Sequence, residues 1–172
     1  MQQIIHIHGG ETFPDESSFL VSIIEREYNP FEEIRKRKDR IQQALISTHQ
    51  MIAPTMPNAL NASYKAWKIW FEKIFPYLNG EEIILVGNSL GGTFLIKYLS
   101  ENTFPKKIQQ LHLTAAVLDN EERNKDYLGD FIIDFSKIIM VTEQVKNIYI
   151  YHSKDDPMVP YSHAERLTKL LP

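Results

Sequence analysis

At 172 residues with 43% hydrophobic content, the chain is the size of one domain that buries about 70% of the surface its unfolded form exposes. It contains no cysteine, which excludes a cysteine nucleophile, a thiolate metal site and a disulfide frame and suits a reducing cytosol. A net charge of −3 and a pI near 6.1 give no global field toward nucleic acid or an anionic membrane, so neither is an expected partner.

The chain opens on an apolar run, Gln3 to His8, that ends in Gly9-Gly10. It has no basic n-region, long apolar stretch or small-residue cleavage site, so a soluble cytoplasmic protein is expected. His6 and His8 lie two apart and share a strand face, a conceivable pair of metal ligands, but no third ligand is placed with them and a buried strand is the plainer reading. Further on, Arg35-Lys36-Arg37-Lys38-Asp39-Arg40 places five basic residues in six. With Glu32 and Glu33 just upstream it reads as a solvated helix face rather than a nucleic-acid patch.

Met51 to Ala53 forms a second short strand. A helix follows from about Ser63 to Phe75, where Tyr64, Trp67, Phe71 and Ile74 fall at helical spacing, Trp70 and Phe75 widen the apolar face, and Pro76 stops it. That stripe reads as core, because the helix needs an apolar face to dock on a sheet. Glu82 to Val86 is a continuous apolar strand of the kind covered on both faces. Ile108 to Ala115 and Asn147 to His152 complete five strands, with a charged loop from Asp119 to Asp130 expected over the C-terminal edge of the sheet. Strands alternating with helices point to an α/β three-layer α/β/α sandwich around a mostly parallel sheet, in a single domain spanning 1–172. Ser162-His163-Ala164-Glu165 reads as a capping box that opens a last helix.

The chemistry sits directly after the third strand, in Gly87-Asn88-Ser89-Leu90-Gly91-Gly92. Gly-x-Ser-x-Gly between a buried strand and a helix is the nucleophile-elbow pattern. A serine on that tight turn needs glycines at Gly87 and Gly91, since side chains there would collide with strand or helix. The turn aims the hydroxyl at a helix N-terminus, where the N–H of Leu90 can hold an oxyanion. A second donor is expected from the first loop, at Gly10 or its neighbour. The acid of a triad in the order Ser, Asp, His falls after a later strand. Asp156 in Ser153-Lys154-Asp155-Asp156-Pro157-Met158-Val159-Pro160 is the choice, with Asp155 facing solvent or capping the turn.

His8-Gly9-Gly10, Ile52-Ala53-Pro54-Thr55-Met56-Pro57-Asn58, the elbow and the Ser153 to Pro160 segment together resemble the small serine hydrolases of the retinoblastoma-binding-protein type, over nearly the whole chain. The resemblance implies a minimal α/β-hydrolase fold, Ser89 as nucleophile, Asp156 as acid, hydrolysis of a small ester or amide, and no metal or organic cofactor. Relatives usually carry His where this chain has Asn88. The family also keeps its catalytic His in a Gly-His segment one strand beyond the helix that starts at Ser162, whereas this sequence stops at Pro172. Of the six histidines, His163 opens a helix whose positive end disfavours an imidazolium. His49 and His112 lie on other elements and His6 and His8 on the first strand, while His152, at a place that relatives use structurally, is the more plausible location for an adapted base. A catalytically silent hydrolase-fold binding module is the alternative function. The strand Asn147 to His152 is expected to be an open edge carrying Ile148 and Ile150, which invites a homodimer.

Overall fold

The computed structural model of the chain describes residues 1–27, 45, 47–119 and 128–171; the basic run 35–40 lies outside them. Five parallel strands form one sheet: β1 (Gln2–Ile7), β2 (His49–Ile52), β3 (Glu82–Asn88), β4 (Lys107–Thr114) and β5 (Val145–Tyr151), in the order β2-β1-β3-β4-β5. The described helices are α1 (Glu16–Glu25), α2 (Tyr64–Glu72), α3 (Leu90–Glu101), α4 (Ile139–Gln144) and α5 (Ser162–Leu170). The five strands are those expected from the sequence, with ends displaced by at most two residues.

Register sorts the sheet into two unlike faces. Ile5 pairs with Leu85, Leu85 with Leu111 and Leu111 with Ile148, so these side chains share one face. Ile5, Leu85 and Leu111 with Ile7 and Leu113 form its buried core beneath α3, and Ile148 packs against it partly buried. The other face carries Ile4 and Ile84, both buried, and then becomes polar and aromatic toward the β5 edge, where Tyr149 and Tyr151 stack on His112. β5 pairs with β4 and ends the strand order, so it is an edge. Its Ile148 and Ile150 are only partly buried and pack against the core.

The aromatic stripe is core. Tyr64, Trp67, Phe71 and Ile74 are all buried; Trp67 meets Phe94 and Phe131, and Phe71 meets Phe94, edge to face, the arrangement favoured by ring quadrupoles. Trp70 departs from the expectation: it falls on the outer side of α2 and is largely exposed. Helix α2 also ends earlier than expected, at Glu72, and the chain continues as a 3₁₀ turn over Phe75–Tyr77 that places Pro76 in its first positions, where a missing N–H costs nothing.

Two helix starts differ from the sequence pattern. The N-cap of α5 is Tyr161 and no side chain caps it; Ser162 is already helical, so the capping box does not form. Pro160 starts the turn one residue early by accepting the His163 N–H on its carbonyl. The cap of α2 is supplied from a distant segment: Asp130 accepts the Tyr64 N–H at 2.7 Å and the Ser63 hydroxyl at 3.1 Å, placing a carboxylate at the positive helix end. Residues 120–127 of the expected charged loop lie outside the described residues. Among the described residues no helix is long and apolar enough to cross a membrane.

Candidate active site

The nucleophile-elbow glycines are fixed by contact. A Cβ on Gly87 would lie 2.6 Å from the Gly92 Cα and 2.8 Å from the Gly91 carbonyl oxygen. One on Gly91 would lie 2.3 Å from the carbonyl oxygen of Ile7, and one on Gly92 2.7 Å from the Ala116 Cβ. Strand β3 therefore runs into α3 with no room for side chains at the turn. Between them Ser89 adopts φ 50° and ψ −124°, a left-handed region that costs a non-glycine residue of order 1–3 kcal/mol and persists only where the surroundings enforce it. The enforcing bonds are visible: the Ser89 N–H donates to the Thr114 carbonyl at 2.8 Å, and its own carbonyl accepts the Gly92 N–H at 2.8 Å. Ala115, directly after β4, is also left-handed at φ 47°, and its N–H donates to the Tyr151 carbonyl at 2.9 Å. Ends of β3, β4 and β5 are thus laced together across the sheet edge.

Ser89 is half-buried and its neighbour Leu90 is the first residue of α3. The Leu90 N–H is one of the four that a helix leaves without an intrahelical acceptor, and it lies at the positive end of the dipole. The loop after β1 closes on the same place. A Cβ on Gly9 would stand 3.2 Å from the Ser89 Cβ, whereas one on Gly10 would meet the Ala59 carbonyl at 2.9 Å and the Trp67 ring at 3.0 Å. Gly9, the neighbour of the preferred donor, is thus the glycine in touch with the serine, and Gly10 forms the back of the loop.

His8 sets that loop's position. Its Nε2 accepts the Met56 N–H at 2.8 Å, and its Nδ1 bonds the Gly9 carbonyl at 2.6 Å. An acceptor at Nε2 requires the proton on Nδ1, so the ring is neutral and both nitrogens serve the backbone. The ring edge rests on Trp67, and the Trp67 indole N–H donates to the Pro57 carbonyl at 2.8 Å. Among the described residues no cluster of three metal-binding side chains occurs.

Asp156 lies in the loop after β5, the strand two places from β3 in the sheet. Its Oδ1 accepts the N–H groups of Met158 and Val159, each at 2.9 Å, a turn that holds the carboxyl in place. His152 braces the same loop: its side chain is 1% exposed, Nε2 donates to the Val159 carbonyl at 2.8 Å, and Asp156 Oδ2 stands 3.9 Å away. The His152 ring is thus buried and bonded into the acid loop, which it braces. Asp155 is exposed and accepts the Ser153 hydroxyl, which holds its carboxyl below the usual range. His163 is buried, and its Nδ1 accepts the Leu118 N–H at 3.0 Å.

The sequence reading missed the bond lacing β4 to β5 and the Asp130 cap. Neither has a local signature, because each joins segments tens of residues apart. Asn58, left-handed at φ 48°, was accessible only as the residue type that tolerates that region.

No protein-family model matches the chain, and no curated protein sequence does. Solved structures do. The ydeN gene product of Bacillus subtilis is 20% identical with a TM-score of 0.71, over 99% of this chain and 81% of that one. A meta-cleavage product hydrolase of Pseudomonas fluorescens IP01 is 16% identical with a TM-score of 0.63, over 100% and 79%. An α/β-hydrolase enzyme from the metagenome of Mar Chica lagoon sediments, Morocco, is 18% identical with a TM-score of 0.54, over 99% and 76%. At such identities the likeness speaks for architecture, and with the parallel five-stranded sheet and its flanking helices it shows that this chain has the α/β-hydrolase fold.

Proposed function

We infer that the chain is a serine hydrolase that cleaves a small ester or amide through an acyl-enzyme on Ser89. The observation that carries this reading is the enforced backbone of Ser89 at φ 50°, ψ −124° between β3 and α3, since strain of this kind persists where it places a reacting group. In the reaction the Ser89 oxygen attacks the substrate carbonyl, and the N–H of Leu90 with one from Gly9 or Gly10 holds the oxyanion. The serine proton passes to an imidazole, supplied as free imidazole in the test below, and Asp156 would orient and stabilise the imidazolium that forms. The neutral alcohol or amine leaves with that proton, and water repeats the sequence on the acyl-enzyme. Resemblance to the retinoblastoma-binding-protein type and the hydrolase names of the structural neighbours support the same reading. No cofactor or metal has a part in it.

Among the described residues no histidine is hydrogen-bonded to Ser89. Both ring nitrogens of His8 serve the backbone, and His152 and His163 are buried with one ring nitrogen bonded to backbone; these placements are what favours the second reading, a silent binding module. Hydrolysis of 4-nitrophenyl acetate with and without added free imidazole separates the two. A hydrolase gives slow turnover above the hydrolysis that imidazole catalyses by itself in buffer, about 10³ over water from the oxyanion hole and binding alone, and that excess rises with imidazole and disappears in Ser89→Ala. A binding module shows no difference between the chain and Ser89→Ala at any imidazole concentration. Besides substrate, the partner this reading expects is a second copy paired along β5. Sedimentation should show dimers that Tyr149→Lys disperses, because a charge on an edge strand opposes pairing; a monomeric parent chain would contradict it.

A further inference from the structure

A cleft of about 580 Å³ lies beside the oxyanion loop, lined among the described residues by Phe19, Asn58, Ala59, Leu60 and Asn61, a volume in the range of small-ligand sites. No charged side chain is among them, and the nearby charges Glu11 and Arg26 are bound to each other at 2.7 Å. The floor is joined to the candidate site through the backbone of the loop after β1. The Ala59 carbonyl accepts the Glu11 N–H at 2.8 Å, the Glu11 carbonyl accepts the Ala62 N–H at 2.8 Å, and Gly10 packs against that same Ala59 oxygen while Gly9 packs against Ser89. The floor is therefore fixed to the loop that would hold the oxyanion. The strained residue Asn58 (φ 48°) turns the chain at the rim, its carbonyl accepting the Asn61 N–H at 2.8 Å.

The opposite wall is Phe19 of α1, a helix that buries none of its residues and exposes Leu20, Val21, Ile23 and Ile24. Its start is secured by Asp15, whose side chain accepts the Ser18 N–H at 2.7 Å. An apolar helix beside a fixed floor of Ala59 and Leu60, where the polar lining side chains Asn58 and Asn61 are neutral, suits a flexible hydrocarbon and supplies no charge to pair with a charged group.

We propose that this cleft receives the linear apolar substituent of a neutral ester held at Ser89, making Phe19, Ala59 and Leu60 determinants of specificity. The proposal rests on the serine hydrolase reading, so its test uses binding as well as chemistry. The probes are linear 2-alkanones, neutral and resistant to hydrolysis, from 2-pentanone to 2-decanone, followed by NMR of the 172-residue chain. Affinity should rise by up to about fourfold for each methylene that is buried, with the largest shifts at Phe19, Ala59 and Leu60. Leu60→Asp, an exposed position that leaves the core untouched, should lower 2-decanone affinity at least tenfold and leave 2-pentanone nearly unchanged. Affinity independent of chain length, shifts centred elsewhere, or an unaffected Leu60→Asp variant would overturn the proposal. Labelling of Ser89 by a fluorophosphonate is measured in parallel. Binding kept without labelling supports the cleft and counts against the hydrolase reading alone; labelling kept without length dependence overturns the cleft alone.

Discussion

Gly91 lies so close beneath the end of β1 that a single methyl group on it would sit 2.3 Å from the Ile7 carbonyl oxygen and 2.5 Å from that of His8. Both obstacles are backbone of a central strand and cannot swing aside, so Gly91→Ala must push α3 away from the sheet. We expect a loss of about 3 kcal/mol, the upper part of the range for overpacking, measured by urea unfolding. Gly80 is the control, since the closest atom to a Cβ there is 3.4 Å away, and Gly80→Ala should change stability little.

Ser89 sets function against stability. Its φ of 50° is enforced by the Thr114 and Gly92 hydrogen bonds, and glycine adopts such angles without the Cβ penalty. Ser89→Gly should therefore raise stability by about 1 kcal/mol while Ser89→Ala, which keeps the Cβ, leaves it near the parent value. Equal melting temperatures for the two variants would show that the turn is not strained.

Asp130 caps α2 from a segment 66 residues away. Removing the acceptor leaves the Tyr64 N–H and the Ser63 hydroxyl to water, and Asp130→Ala should cost about 1 kcal/mol, as loss of a helix cap does. Asp130→Asn keeps an oxygen for the N–H and should recover most of it. The comparison is read by thermal unfolding.

His112 gives a pH signature. Its Nε2 bonds Gln110 Oε1 at 2.9 Å and its Nδ1 meets the Tyr151 hydroxyl at 3.1 Å, between the rings of Tyr149 and Tyr151. Burial pushes its pKa below the ordinary 6.5. The unfolded chain thus takes up the proton first, so the contribution is fully present above about pH 6.5 and is lost as pH falls through the folded-state value. Stability measured from pH 7.5 to 5 should decline less steeply in His112→Gln than in the parent chain. Parallel slopes would remove His112 from the account.

The architecture was legible because buried parallel strands are continuous apolar runs and the helix between them repeats its aromatics at helical spacing. Ile83 to Val86 and the Tyr64, Trp67, Phe71 series each carry their own signal. The elbow was legible for a different reason: steric exclusion at Gly87 and Gly91 leaves a fixed pattern in a short span. The Ser162 box failed because Pro160 starts the α5 turn a residue early, and a local motif cannot report which of two adjacent residues becomes the cap. Trp70 was misplaced because apolar residue type alone does not say which side of a helix meets the sheet. Asp130 and the link between Ala115 and Tyr151 were invisible, since both are long-range bonds made by residues common in any loop or strand. Gly9 rather than Gly10 touching Ser89 depends on how His8 and Met56 hold the loop, a tertiary detail.

The central claim is that Ser89 is a nucleophile presented by a preformed elbow, and intact-mass spectrometry of the chain after incubation with a fluorophosphonate tests it most directly. One adduct, mapped to Ser89, forming faster as imidazole is added and absent from Ser89→Ala, is the predicted result. No adduct on Ser89 at any imidazole concentration, or labelling undiminished in Ser89→Ala, would contradict it.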